Sequence, residues 1–167
     1  MLNAQDYRTT LRDGTMLHTL ARQLRARPED ERLRFIEDVL SFPHVRGRPS
    51  SLWLGVQLAN KCLGHPRSLE AVLTRCLLQE RGRTLGMCLE AIMPRIGYRR
   101  TMRVLKDTLV TAPQAAVNIW WAHHYVGSVS EQMGIVTDTA YDLSASDIAQ
   151  IEAARRSTAH DGDRDQT

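Results

Sequence analysis

Aromatic residues are scarce in this chain, at 5% of 167 residues, which argues against a large aromatic stacking platform. Alternating runs rich in β-branched residues are nearly absent, so strands are not expected. No apolar run approaches the roughly 20 residues that span a bilayer. Residues 1–12 hold no apolar core of a secretory signal. Serine-hydrolase and phosphate-loop signatures are missing, so no catalytic motif announces an activity. Cysteine is sparse as well: Cys62, Cys76 and Cys88 are the three, an odd number set inside helical patterns. Without a signal segment, that pattern points to buried thiols and a reducing cytoplasm. No cofactor is implied.

What is present suits one globular domain over residues 1–156, with a core supplied by 43% apolar residues. The net charge of +3 conceals a marked asymmetry. Residues 1–42 balance, with 7 basic and 7 acidic side chains, whereas residues 43–112 hold 12 basic against 4 acidic. Residues 113–167 reverse the sign, with 3 basic against 8 acidic. The middle of the chain is basic and its end acidic.

The middle also repeats. Shifted by 33 residues, Leu52 falls on Leu85, Ala59 on Ile92, Leu63 on Ile96, Gly64 on Gly97, Arg67 on Arg100, Val72 on Leu105 and Cys76 on Leu109. Each unit, 51–80 and 84–111, splits at its glycine into two helix-length pieces with apolar residues at helical spacing. Gly64 is expected to take the left-handed conformation that ends a helix, and Pro66 suits a first helical turn. A third unit is expected to begin at Pro113, its first helix ending at Gly127. With Ala116, Val117, Ile119, Trp120, Trp121 and Val126 that helix is apolar over most of its girth, so it must be buried or bind something.

This period, with Pro94 late in a helix, resembles HEAT or armadillo-type α-helical repeats. The segment Met93-Pro94-Arg95-Ile96-Gly97 is similar to the end of the first helix of a HEAT unit, which often carries a kinking proline. The aspartate common at the HEAT inter-helix turn is absent, with His65 and Tyr98 nearby instead. The resemblance covers about half of the chain. It implies an all-α fold, a short right-handed α-solenoid of antiparallel hairpins; an irregular helical bundle is the alternative.

Around that centre, residues 14–42 read as another hairpin. Thr15 is expected to cap a helix striped by Met16, Leu17, Leu20 and Leu24. Pro28 opens a second helix, with Glu29, Asp30 and Glu31 in its first turn and Leu33, Phe35, Ile36, Val39 and Leu40 facing the core. A short helix is expected within residues 1–13. Residues 43–50 read as a basic loop with His44, Arg46 and Arg48. The C-terminal helices fill 113–156, where Ser144 and Ser146 precede a capped helix. From 157 to 167 no large apolar residue remains, and an acidic disordered tail is expected.

Arg99, Arg103 and Lys106 recur at helical spacing and share one face. Arg67, Arg75 and Arg100 extend the set, and such a stripe attracts acidic proteins or phosphate backbones. Trp121 points away from Trp120 and is the aromatic anchor for a partner. His123 and His124 face about 100° apart on a helix and so cannot aim at one metal together; no metal site is expected. The reading is a non-catalytic protein-interaction module for an acidic protein partner, of the bacterial accessory, adaptor or immunity type. Nucleic-acid binding through the same arginines and a small enzyme around His123 and His124 are the alternatives. No membrane is involved.

Overall fold

The computed structural model describes residues 14–42, 51–79 and 83–161. The expectations for residues 1–13, for the basic loop 43–50 and for residues 162–167 lie outside them. Among the described residues there are eight α-helices and two 3-10 turns, and no strand. The chain is all-α. It divides into two compact units, Met1–Cys76 and Leu77–Thr167.

In the first unit α1 spans Gly14–Arg25, α2 Glu29–Leu40 and α3 Ser51–Cys62; α4, Pro66–Gln79, begins there and crosses into the second. Thr15 sits inside α1 rather than before it, so it is not the cap. Leu17, Leu20, Ala21 and Leu24 of α1 are buried, as are Phe35, Ile36, Val39 and Leu40 of α2, while Leu33 is half-exposed. Each leucine, isoleucine, valine or phenylalanine side chain so removed from water contributes roughly 1.5–3 kcal/mol before entropy is set against it. The tightest approach is at Gly55 of α3, where an added Cβ would lie 2.4 Å from the Leu40 side chain.

Charged side chains then tie the helix ends together. Arg25 Nε donates to the Lys61 carbonyl at 2.8 Å, and an Arg32 Nη1 proton goes to the Cys62 carbonyl. Both cations sit at the C-terminus of α3, where the helix dipole favours them. Glu29 Oε1 accepts from the amides of Gly64 at 3.2 Å and His65 at 2.7 Å, and Oε2 lies 3.6 Å from Arg32. Burial would raise the Glu29 carboxyl; the His65 amide, Ser68 hydroxyl, Gly64 amide and Arg32 charge outweigh it and hold it below its ordinary value. Gly64 is not left-handed, contrary to expectation. The end carbonyls of Lys61 and Cys62 receive Arg25 and Arg32, and Glu29 takes the Gly64 amide, so the backbone needs no αL turn.

The second unit contains α5, Arg83–Ile96; α6, Tyr98–Thr111; α7, Ala116–Met133; and α8, Ala145–Asp161. The 3-10 turns Pro113–Ala115 and Thr139–Tyr141 precede α7 and α8. α7 packs against α5, α6 and α8. Leu85, Cys88, Leu89, Ile92, Met102, Leu105, Leu109, Ile119 and Val126 are buried. Pro94 lies in the last turn of α5. Gly97, at φ 80 and ψ 165, is by itself the joint between α5 and α6, whereas residues 63–65 separate α3 from α4.

Gly127 does not end α7. The helix runs through it because Val126, Val129 and Ser130 bury an inner face on either side, and that burial outweighs the roughly 1 kcal/mol cost of a helical glycine. The true stop is Gly134, left-handed at φ 62. The Ile135 amide returns to the Ser130 carbonyl at 2.9 Å, which closes a Schellman turn. At the start of α8, Ser144 and Asp147 cap each other. Ser144 Oγ accepts the Asp147 amide at 3.1 Å, and Asp147 Oδ2 accepts the Ser144 amide at 2.8 Å and its hydroxyl at 2.7 Å. These bonds to Ser144, more than the opposing burial, hold the Asp147 carboxyl below its usual value, with Lys106 assisting. α8 continues to Asp161, into the stretch expected to be disordered.

Candidate functional site

The basic residues fall into two sets. Arg67 and Arg75 belong to the first unit. Arg67 is exposed in the first turn of α4. Arg75 is half-buried, and its Nη2 donates to Ser41 Oγ at 2.9 Å, so it serves the fold locally. The other four stand on α6. That helix buries Tyr98, Thr101, Met102, Val104, Leu105, Thr108 and Leu109. Arg99 and Arg103 are exposed, Arg100 and Lys106 half-buried, and Asp107 is the one acidic residue of the helix.

The segment after Gly134 lies along this helix. The Arg99 guanidinium sits 4.7 Å above the Tyr141 ring, a cation–π contact that holds it in a fixed direction. Asp138 Oδ1 accepts the Ala140 amide at 3.1 Å and shapes the 3-10 turn. The Tyr98 hydroxyl donates to Asp142 Oδ1. Burial, reinforced by the Asp142 carboxylate and Asp138, pushes the Tyr98 phenol far above its ordinary value.

Beside it α7 and α8 enclose a cleft of about 360 Å³ lined by Trp120, His123, His124, Leu143, Ile148, Ile151 and Glu152. Neighbouring positions on α7 send the two imidazoles apart, with ring centroids 5.9 Å apart and planes 84° apart. His124 Nδ1 lies 2.8 Å from the Trp120 carbonyl. A carbonyl only accepts, so Nδ1 carries a proton, and of the two tautomers of a neutral ring only the one with Nε2 as acceptor fits. The His124 ring also rests 4.0 Å from the Trp120 ring, and the Arg155 guanidinium sits 3.8 Å above the same indole. Burial, and then the neighbouring His124, push the His123 imidazole below its ordinary value, with Asp142 opposing. His123 is therefore the neutral form at pH 7. Among the described residues no group of three His, Cys, Asp or Glu side chains could hold a metal ion.

Trp121, the expected anchor, is 38% exposed. It meets Trp120 edge-on at 4.9 Å and Tyr125 at 6.5 Å. Cys62, Cys76 and Cys88 are buried thiols, and none of them is in a disulfide. Burial raises the Cys62 thiol against the pull of Arg25, Arg32 and Lys61, and its Sγ faces the Ala21 carbonyl at 3.6 Å. That is the setting of an inert structural thiol. No helix among the described residues is long and apolar enough to cross a membrane.

Sequence reasoning singled out the tryptophans and histidines of α7 but not their partners. Ile148, Ile151 and Glu152 share a face of α8 by their spacing of three and four, and that spacing was the available signal. Nothing local announced Leu143, or the pairing of Tyr98 with Asp142 and of Arg99 with Tyr141.

The Tyr98 bond yields a direct expectation. Tyr98→Phe should cost about 1.5–3 kcal/mol, the usual worth of a hydrogen bond to a charged group, read as a lower denaturant midpoint. Unfolded tyrosine ionises near pH 10, and the folded phenol resists ionisation. The contribution is therefore complete below about pH 10 and is lost as pH rises above it. Wild type should lose stability in that alkaline window more steeply than the phenylalanine variant, and equal slopes would refute the assignment. Compared with protein-family models, with curated proteins and with solved structures, the chain finds no match in any of the three.

Proposed function

We propose that this protein is a non-catalytic interaction module that holds an acidic segment of a protein partner against the outward side of α6. The observation that carries this reading is the makeup of that side: every large apolar residue of the helix except Val110 is buried, and the outward positions carry Arg99, Arg100, Arg103 and Lys106 against Asp107 alone. Exposed ion pairs contribute only about 0–1 kcal/mol each, so several cations on one face are needed for useful affinity. Stacking on Tyr141 sets the direction of Arg99 before a partner arrives, which lowers the ordering cost of binding. Trp121, part-exposed on α7, supplies an apolar anchor of the type enriched at binding hot spots. The 33-residue echo and the likeness to HEAT units belong to the same reading, because helical-hairpin repeats commonly present binding faces.

The test is charge reversal at Arg99, Arg103 and Lys106 together, all to Glu. The partner recovered with the wild-type chain should be acidic at its contact segment, and the triple variant should bind it at least about tenfold more weakly. Undiminished binding removes the α6 face from the account. Filter binding to duplex DNA provides the contrast: phosphate recognition would give an affinity falling steeply with salt, with a log–log slope near −0.9 per phosphate neutralised. That result would transfer the same face to nucleic acid.

A further inference from the structure

The cleft between α7 and α8 differs in chemistry from the α6 face. Its apolar lining is Leu143, Ile148, Ile151 and the Trp120 ring. Its polar valences face the other way from those of a cation-rich surface. Glu152 lines the cleft and makes no hydrogen bond or ion pair among the described residues. His123 is half-buried there, and its ring makes no hydrogen bond among the described residues. His124 directs Nδ1–H to the Trp120 carbonyl, so Nε2 is the nitrogen left for a ligand, an acceptor in the tautomer that this bond selects. Arg155, the cation nearest in sequence, is engaged over the Trp120 ring. Over residues 113–156 five carboxylates outnumber two arginines.

We infer that this cleft is a binding site for a small organic amine, with an apolar or aromatic body on Leu143, Ile148 and Ile151 beside the Trp120 edge and an ammonium donating to Glu152 and the acceptor nitrogen of His124. Three features set that class. An apolar floor with few polar groups is the usual build of a small-molecule site, and about 360 Å³ lies at the small end of the common range of ~300–1,000 Å³. The one formal charge among the lining residues is negative. A carboxylate ligand would meet the Glu152 charge, and no cation stands among the lining residues to neutralise it. The proposal is independent of the α6 face, which takes the opposite charge.

Phenethylamine, 2-phenylethanol and phenylacetate are the probes: one shape with positive, neutral and negative heads. Each is titrated at pH 7.5 into the isotope-labelled full chain, following the indole N–H resonances, with that of Trp120 identified by Trp120→Phe. Phenethylamine should shift the Trp120 signal saturably, the alcohol should bind about tenfold more weakly, and phenylacetate weaker still, a factor of ten corresponding to about 1.4 kcal/mol. Glu152→Gln, a change at an exposed position, should weaken phenethylamine about tenfold. Ile148→Trp, which fills the cleft from a residue 40% exposed, should abolish binding with the thermal melt unchanged. Phenylacetate binding as well as phenethylamine, an unaltered affinity in Glu152→Gln, or a Trp120 signal unmoved by saturating amine would each overturn the assignment. Loss of the α6 interaction in the charge-reversed chain would leave these titrations as they are, so the two readings fail separately.

Discussion

Gly97→Ala should destabilise the protein by about 1–3 kcal/mol, the cost of forcing a side chain into a backbone region that essentially only glycine occupies. Gly97 sits at φ 80 and ψ 165, where a Cβ crowds its own backbone whatever surrounds it. The surroundings are open, since an added Cβ would meet nothing within 4 Å, so the loss is conformational alone. Gly134 is the internal control. It is equally open, but its φ 62 and ψ 30 are the ordinary left-handed helical values, which asparagine tolerates. Gly134→Asn should therefore cost under about 1 kcal/mol, while Gly97→Asn should cost nearly as much as the alanine variant. At this chain length 1 kcal/mol shifts the melting temperature by about 2–4 °C, so calorimetry separates the cases. Similar melts for Gly97→Asn and wild type would show that the α5–α6 joint is not held as described. The Tyr98 hydroxyl bond should suffer with it, because Tyr98 is the first residue after the joint.

A second large effect belongs to Gly55. Its added Cβ would lie 2.4 Å from Leu40 Cδ2 and 2.6 Å from Cγ, and Leu40 is only 4% exposed. The leucine has nowhere to turn without disturbing α2. Overpacking of this kind costs about 1–3 kcal/mol, against a gain of up to about 1 kcal/mol from replacing a helical glycine by alanine. Gly55→Ala should thus lower stability by about 1–2 kcal/mol and Gly55→Leu by considerably more. Leu40→Ala alone should cost about 2–5 kcal/mol through its cavity. Combined with Gly55→Ala it should cost clearly less than the two losses added, since the new methyl enters the vacated space. Strict additivity would mean that the two residues do not touch. Gly86 makes the contrast: its Cβ would come within 3.3 Å of the Tyr125 ring, which is half-exposed and able to give, so Gly86→Ala should be nearly neutral.

Much of the helical architecture was legible because burial leaves a periodic trace. The stripe Leu69, Val72, Leu73, Cys76 and Leu77 is wholly buried, Pro66 opens its helix, and the Ser144–Asp147 cap was readable from two residues. Breaks were harder. A glycine in a sequence can end a helix or ride inside one, and the decision rests with the neighbours it buries. Gly127 was outvoted by Val126 and Val129, whereas Gly134 had no buried face beyond it. Gly64 was satisfied from a distance by Glu29, 35 residues earlier in the chain. The 33-residue alignment places Gly64 on Gly97, yet one is left-handed and the other not. The candidate site was half legible for the same reason. Unusual side chains on α7 and basic spacing on α6 are properties of single helices. That Tyr141 receives Arg99, or that Glu152 stands across from His124, depends on how a connector of irregular backbone crosses α6, and no local period records it.

The three cysteines, sealed off and held as thiols as described above, make the chain its own gauge of breathing motions. A thiol-alkylating reagent can reach Cys62 only when the first unit opens and Cys88 only when the second does. The labelling rate at each sulfur thus measures the opening free energy of its own unit, and the two halves of this protein can be ranked in rigidity without adding a probe to either.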